Sequence, residues 1–251
     1  MADIKVNGQV IKDIDLVIFD RDGTLIDLYH YWSQMIGKRA ELICEKFNLD
    51  GDHRQKMMFE MGVDLENKKL RSEGPVGIKK REVVMQAAID YLHQFGIKDG
   101  RTACLEAFSK VDEISRDMLD TLIKVIDGTY DLIDTLHAKG CKTAIATTDK
   151  TERAKLSMDF LGLSEKMSFV IGADGVELSK PAPDMIDLIS QELKIAKNRM
   201  VMVGDAETDI KMGNNAKVKA SIAVCSGITP REQLQNLTNY VIDDVSQIKV
   251  V

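Results

Sequence analysis

The chain has 251 residues, 44% of them hydrophobic, enough to bury one large core or two modest ones. Its 40 acidic and 34 basic residues leave a formal charge of −6. The basic residues are interspersed with acids apart from a short cluster at Lys79, Lys80 and Arg81, so the clustered positive charge of a general nucleic-acid grip is missing.

The N-terminal stretch lacks the basic start and apolar run of a secretory signal, and no segment approaches the ~20 apolar residues of a membrane span. Cys44, Cys104, Cys141 and Cys225 include no C-x-x-C pair, so a cytoplasmic protein with reduced thiols is expected. The first predicted strand is the apolar run at 16–19, which leads into D-R-D-G-T at 20–24. Two carboxylates spaced i, i+2 at a strand end can share a site, and Gly23 permits the sharp turn that turns backbone N–H groups towards an anion. From about residue 29 to 125 the periodicity is helical, as in Ile36, Ala40, Ile43 and Phe47, and later Val83, Val84, Ala87, Ala88 and Tyr91. No strand is expected there, and one Gly/Pro-rich stretch, at 72–77, interrupts the pattern.

After residue 127 strands and helices alternate. Helices are expected over 130–139, closing at Gly140, over 152–161, closing at Gly162, and over 184–193. Strands are expected at 143–146, 169–171, 200–203 and 220–224, each a short apolar run of the kind buried in a parallel sheet. The alternation predicts a doubly wound, Rossmann-like α/β sheet, with any site at the carboxyl ends of its strands. The expected domains are an α/β core of 1–28 and 126–251 and an inserted helical domain of 29–125.

Every residue with evident chemistry follows one of these strands. Asp20 and Asp22 follow the first, Thr147, Thr148 and Asp149 the second, and G-D-A-E-T-D at 204–209, with Asp205 and Asp209, the one at 200–203. Lys180 opens K-P-A-P-D, where the prolines stiffen the approach to a helix. So many acids at one rim repel one another unless a divalent cation is bound, and oxygen-only ligation selects magnesium over zinc. Magnesium beside a lysine is a phosphate-binding environment, because both neutralise the dianion. Two other readings of the first loop fail. Aligning Gly23 with the glycine of a calcium loop puts Ile18 and Tyr29 at ligand positions, and no G-x-x-x-x-G-K-[ST] occurs. The four histidines share no ligand spacing; His30, close behind the first loop, and Lys79 and Arg81, after the Gly/Pro stretch, are candidate substrate contacts.

D-R-D-G-T, the T-T-D after a strand, K-P-A-P and G-D-A-E-T-D, in that order, resemble the four motifs of the haloacid dehalogenase-like hydrolase superfamily. Asp127-Gly128 with the following helix, and the Ser226-Gly227 turn, resemble its phosphoglycolate phosphatase-like branch, which carries a helical C1-type cap. The resemblance implies that Asp20 is a nucleophile forming an aspartyl-phosphate and that Asp22 protonates the leaving group and then activates water. It implies that Thr147, or Thr148, and Lys180 hold the phosphoryl oxygens. Asp20, the backbone carbonyl of Asp22, and Asp205 would bind Mg2+, with Asp209 positioning Lys180 or a metal-bound water. The implied activity is a magnesium-dependent phosphatase acting on a small phosphate ester, phosphoglycolate or a phosphosugar, with the 29–125 domain as a cap over the site. A phosphosugar mutase that returns the phosphoryl group to another hydroxyl is a rival, disfavoured by Gly23-Thr24. A catalytically silent binding protein of the same fold is the other, and dehalogenase chemistry is disfavoured by the carboxylate of Asp22.

Overall fold

A computed structural model describes every residue except Ser72 and Ile78, so Ser72 of the Gly/Pro-rich stretch lies outside the described residues. The chain opens with β1 (Ala2–Val6) and β2 (Gln9–Ile14), a hairpin that runs into the fully buried β3 (Leu16–Phe19). Helices α1 (Leu28–Phe47) and α2 (Gly51–Glu60) follow, then a ladder of two residues a side, β4 (Val63–Asp64) with β5 (Lys69–Leu70). Next come α3 (Arg81–Gln94), α4 (Gly100–Ile114) and α5 (Leu119–Leu122).

From there helix and strand alternate: α6 (Thr129–Ala138), β6 (Lys142–Ala146), α7 (Thr151–Phe160), β7 (Met167–Ile171), α8 (Asp184–Leu193), β8 (Met200–Gly204), α9 (Glu207–Ala216) and β9 (Ala220–Val224). The chain ends with α10 (Arg231–Gln235), β10 (Tyr240–Ile242) and β11 (Lys249–Val250). Its contacts divide it into two compact units, Met1–Asp27 with Val125–Val251, and Leu28–Lys124.

The first unit is built on a parallel sheet of six strands in the order β10-β9-β8-β3-β6-β7. Parallel strands covered on both faces must be apolar along their whole length, and β3 shows how the pleat divides them. Val17 and Phe19 join a core with Val201, Val203, Ile145 and α6 residues Ile133 and Leu136. Leu16 and Ile18 point the other way, into a core with Met200, Met202 and the α8 residues Met185, Ile186 and Ile189. The sequence strands at 16–19, 143–146, 169–171, 200–203 and 220–224 are all present.

The sequence reading contains neither β10 nor a second sheet, β11-β1-β2, whose strands pair antiparallel. That sheet buries Ile4, Val6, Ile11 and Ile14 in the first of the two cores. These strands are short or carry polar residues on the open face, so they leave no continuous apolar run.

The second unit is helical apart from the β4–β5 ladder, which is too short to leave a periodic signal in the sequence. Its core gathers Ile36, Ala40 and Ile43 of α1, Met57 of α2, Ala88 and Leu92 of α3, and Phe108 of α4. Phe108 is fully buried, and the guanidinium carbon of Arg39 sits 4.3 Å from its ring centroid. Phe108→Ala is expected to cost about 3–5 kcal/mol, read as a lower urea midpoint by far-UV circular dichroism. An unchanged midpoint would contradict a well-packed core here. Among the described residues no helix is long and apolar enough to cross a membrane.

Candidate active site

Strand register brings the sequence candidates together. Phe19 pairs with Val203 on one side and Ile145 on the other, so Asp20 lies beside the ends of β8 and β6. The Asp20 N–H still donates to the Val203 carbonyl, at 2.8 Å, so the ladder holds the residue up to the point where its side chain leaves the sheet. The order of strands reverses at β3, whose neighbours β6 and β8 lead into connections on opposite sides, and such a switch point opens a crevice at the carboxyl ends. Thr147 and Asp205 are the first residues past β6 and β8.

At this rim the Lys180 ammonium donates to Asp20 Oδ1 and to Asp209 Oδ1, each at 2.6 Å, and all three groups are buried. Asp20, Asp205 and Asp209 each offer a carboxylate oxygen within 4.8 Å of the others. Asp209 is held by its other oxygen, which accepts from the Ala206 N–H at the start of α9. Asp205 accepts from the Ile228 N–H at 3.1 Å and from the Thr24 hydroxyl at 3.4 Å. Gly23 has φ +89°, and a side chain there would meet the Asp205 carboxylate at 2.6 Å.

Three carboxylates face one ammonium, so the cluster is short of positive charge. Burial, opposed by Lys180 and reinforced by Asp209, pushes the Asp20 carboxyl up to about 6. Burial, then the charges of Asp20 and Asp209, raise Asp205 well above the usual carboxylate range. For Lys180 burial works against the charged form, but Asp20 and Asp209 outweigh it and hold the ammonium protonated. An uncompensated buried charge of this kind is costly. An all-oxygen donor set with a deficit of positive charge fits a hard divalent cation such as magnesium.

The sequence reading gave Arg21 no place, and the structure supplies one. Its guanidinium is buried between Asp22, where Nε reaches both carboxylate oxygens at 3.1 and 3.0 Å and Nη2 reaches Oδ2 at 2.5 Å, and Asp149 Oδ2 at 2.8 Å. Burial raises the Asp22 carboxyl despite the Arg21 charge beside it. Burial also works to raise Asp149, yet Arg21, Arg153 and a backbone N–H together bring it below its usual range.

Of the two threonines, Thr147 is buried, its hydroxyl accepting from the Asp149 N–H at 3.2 Å, while Thr148 is exposed. Ser226, in the turn after β9, donates to the Gly23 carbonyl at 2.6 Å and so ties that turn to the first loop. The remaining candidates lie in the helical unit. His30 Nε2 is 2.8 Å from the Thr121 carbonyl, Lys79 is exposed, and Arg81 pairs with Asp112, which also accepts from Arg39.

Known proteins are similar to this chain in sequence and in fold. The chain is 36% identical over 103 residues, 41% of its length, to Pyrophosphatase PpaX of Halalkalibacterium halodurans. That match spans 48% of the relative, about half its length. It is 27% identical to Pyrophosphatase PpaX of Bacillus cereus over 170 residues, 67% of this chain and 78% of that one.

Two solved structures share the fold across nearly the whole chain. One, described as a predicted phosphoglycolate phosphatase from Haemophilus somnus, has a TM-score of 0.68 at 18% identity and covers 94% of this chain and 96% of its own. The other is a HAD-superfamily hydrolase of subfamily IA from Geobacter sulfurreducens, with a TM-score of 0.66 at 17% identity and 94% coverage of each chain. The family model of haloacid dehalogenase-like hydrolases matches residues 14–217. The chain belongs to the haloacid dehalogenase-like hydrolase family.

Proposed function

We propose that this hydrolase is a magnesium-dependent phosphatase that passes the phosphoryl group of a small phosphate ester to Asp20 and then to water. The observation that carries the reading is the Asp20 carboxylate held 2.6 Å from a buried ammonium inside an acidic cluster. A carboxylate placed there is both a nucleophile and the neighbour of a cation that attracts phosphate.

In the first step an Asp20 oxygen attacks phosphorus, the bond from phosphorus to the ester oxygen breaks, and the Asp22 carboxyl gives its proton to the departing oxygen. In the second step Asp22, now a carboxylate, takes a proton from water as the water oxygen attacks the same phosphorus. Inorganic phosphate leaves and the Asp20 carboxylate is restored. Splitting one displacement into two, with a proton donor that becomes the acceptor, lowers both barriers. Lys180 and the Thr147 hydroxyl hold the phosphoryl oxygens, with Lys180 kept in place by Asp209. Asp20, the Asp22 carbonyl and Asp205 would hold magnesium, with Asp209 close by. When bound it neutralises charge on the phosphoryl oxygens.

The substrate class is a small ester such as phosphoglycolate or a phosphosugar. The pyrophosphatase named among the relatives favours inorganic pyrophosphate as a second reading. Both are tested by a phosphate-release screen over small phosphate esters and pyrophosphate with magnesium, taking Asp20→Asn as the blank. Release from one ester class or from pyrophosphate, absent from the blank, is expected. Equal release by the Asp20→Asn protein, or none from any compound, would overturn the assignment.

A further inference from the structure

Arg21 follows the nucleophile position directly, yet its side chain donates to Asp22, Asp149 and Ser157. Its side chain is only 3% exposed, and its donors go to two carboxylates from different strand ends and to a helix hydroxyl, Ser157 Oγ of α7 at 3.4 Å. A buried guanidinium with this many acceptors is fixed in position, because moving it would leave a buried charge unpaired. The planar fork also fixes the carboxylate it holds, which a single-point lysine contact does not.

The contacts on Asp22 are unequal. Among the described residues Oδ2 receives both Nε and Nη2, at 3.0 and 2.5 Å, and Oδ1 receives Nε at 3.1 Å. The fork thus touches both oxygens, most closely Oδ2, while the Asp22 side chain stays 21% exposed. The anchor itself is anchored, through Asp149 Oδ2, to the loop that carries Thr147, and Asp149 is in turn 3.8 Å from Arg153 of α7.

We propose that Arg21 is a positioning residue for leaving-group protonation: its fork fixes the Asp22 carboxyl that faces the departing oxygen, and through Asp149 it locks the Asp20–Asp22 loop to the Thr147 loop. The inference rests on the phosphatase reading above. It adds a residue that acts through Asp22 to set the geometry of proton transfer, where an error of about 1 Å is enough to cost 10²-fold.

A positioning role and a merely structural one separate by leaving group. An alkyl phosphate needs its departing oxygen protonated; 4-nitrophenyl phosphate, whose phenolate leaves readily, needs this far less. The quantity to compare is kcat/KM, because it reports only steps up to leaving-group departure and excludes the later attack of water, which the two substrates share. In Arg21→Met, kcat/KM for the alkyl ester is expected to fall by about 10²-fold, within the range of general acid catalysis, and for 4-nitrophenyl phosphate by no more than a few-fold. Arg21→Lys should fall between, keeping the charge without the fork. Asp149→Asn, at a partly exposed position, should shift the same ratio in the same direction by less. In an Asp22→Asn background Arg21→Met should leave the ratio unchanged.

Equal losses for both esters in Arg21→Met would overturn the inference while leaving the phosphatase reading intact. Should Arg21→Met fail to fold, an unshifted ratio in both Arg21→Lys and Asp149→Asn would overturn it equally. A wild-type protein silent on every ester would instead remove the phosphatase reading, and this inference with it.

Discussion

Asp20→Asn is expected to lower phosphate release by on the order of 10⁴-fold or more while raising the melting temperature of the metal-free protein at neutral pH. The two effects have one cause. Asp20 is the group that would attack phosphorus, and it is also one of three buried acids sharing a single ammonium. Its folded value of about 6 lies above the ordinary aspartate value of 3.8, so between those pH values the folded state holds a proton that the unfolded chain has released. Stability therefore falls as pH rises through that window, and the whole penalty, roughly 2–3 kcal/mol, is present above about pH 6.

Asparagine keeps the shape and removes the charge, and Lys180 retains Asp209 as partner. A rise of several degrees is expected at pH 7.5, shrinking towards pH 4, because a protonated Asp20 there no longer differs in charge from asparagine. Magnesium should stabilise the wild type more than the variant. Differential scanning fluorimetry across pH, with and without magnesium, checks both. A lower melting temperature for the variant at pH 7.5 would mean that Asp20 is not under charge strain.

The first unit was legible because its strands are buried on both faces. Each reads as an apolar run ending abruptly in polar residues, and the ends of β3, β6 and β8 carry Asp20, Thr147 and Asp205. Each of these residues alone could be a cap or a turn; their joint recurrence at strand ends, with the lysine of K-P-A-P between them, is why Asp20, Lys180, Asp205 and Asp209 could be grouped before any distance was known. Lys180 was the least local of them. Its loop lies far along the chain from the first, and only the tertiary structure closes the 2.6 Å contacts.

What stayed hidden was hidden for physical reasons. The β1–β2 hairpin buries one face only, and its exposed face dilutes the apolar signal. The strand β10 is three residues long, and β11 and the β4–β5 ladder have two residues a strand, below the length at which alternation can be read. Arg21 sits in a motif position where sequence offers no hint of direction, since an arginine there could reach solvent, substrate or a neighbouring loop. Its destination depends on Asp149, over a hundred residues away. The turn after β9 was visible as Ser226-Gly227, but its task was not: the Ile228 N–H donates to Asp205.

Gly227→Ala is expected to damage that task more than the fold. A methyl group at Gly227 would stand 1.7 Å from Asp205 Oδ2, 2.2 Å from its Cγ and 2.5 Å from its Cβ. Rotating the carboxylate can relieve the first two contacts but not the third, because Cβ is fixed by the backbone of Asp205. The turn itself must therefore move. Movement lengthens the Ile228 N–H contact to Asp205 and the Ser226 hydroxyl contact to the Gly23 carbonyl, the two bonds that tie the turn to the site. An outer residue that orients a metal-binding carboxylate typically matters by 10–100-fold in metal affinity. On the magnesium-dependent reading, the magnesium concentration for half-maximal phosphate release should rise by about that factor, with the far-UV circular dichroism spectrum retained. Asp205→Asn should lose at least as much. Half-activation by magnesium unchanged in Gly227→Ala would show that the position of Asp205 does not govern the metal, and the carboxylate cluster would then need a different occupant.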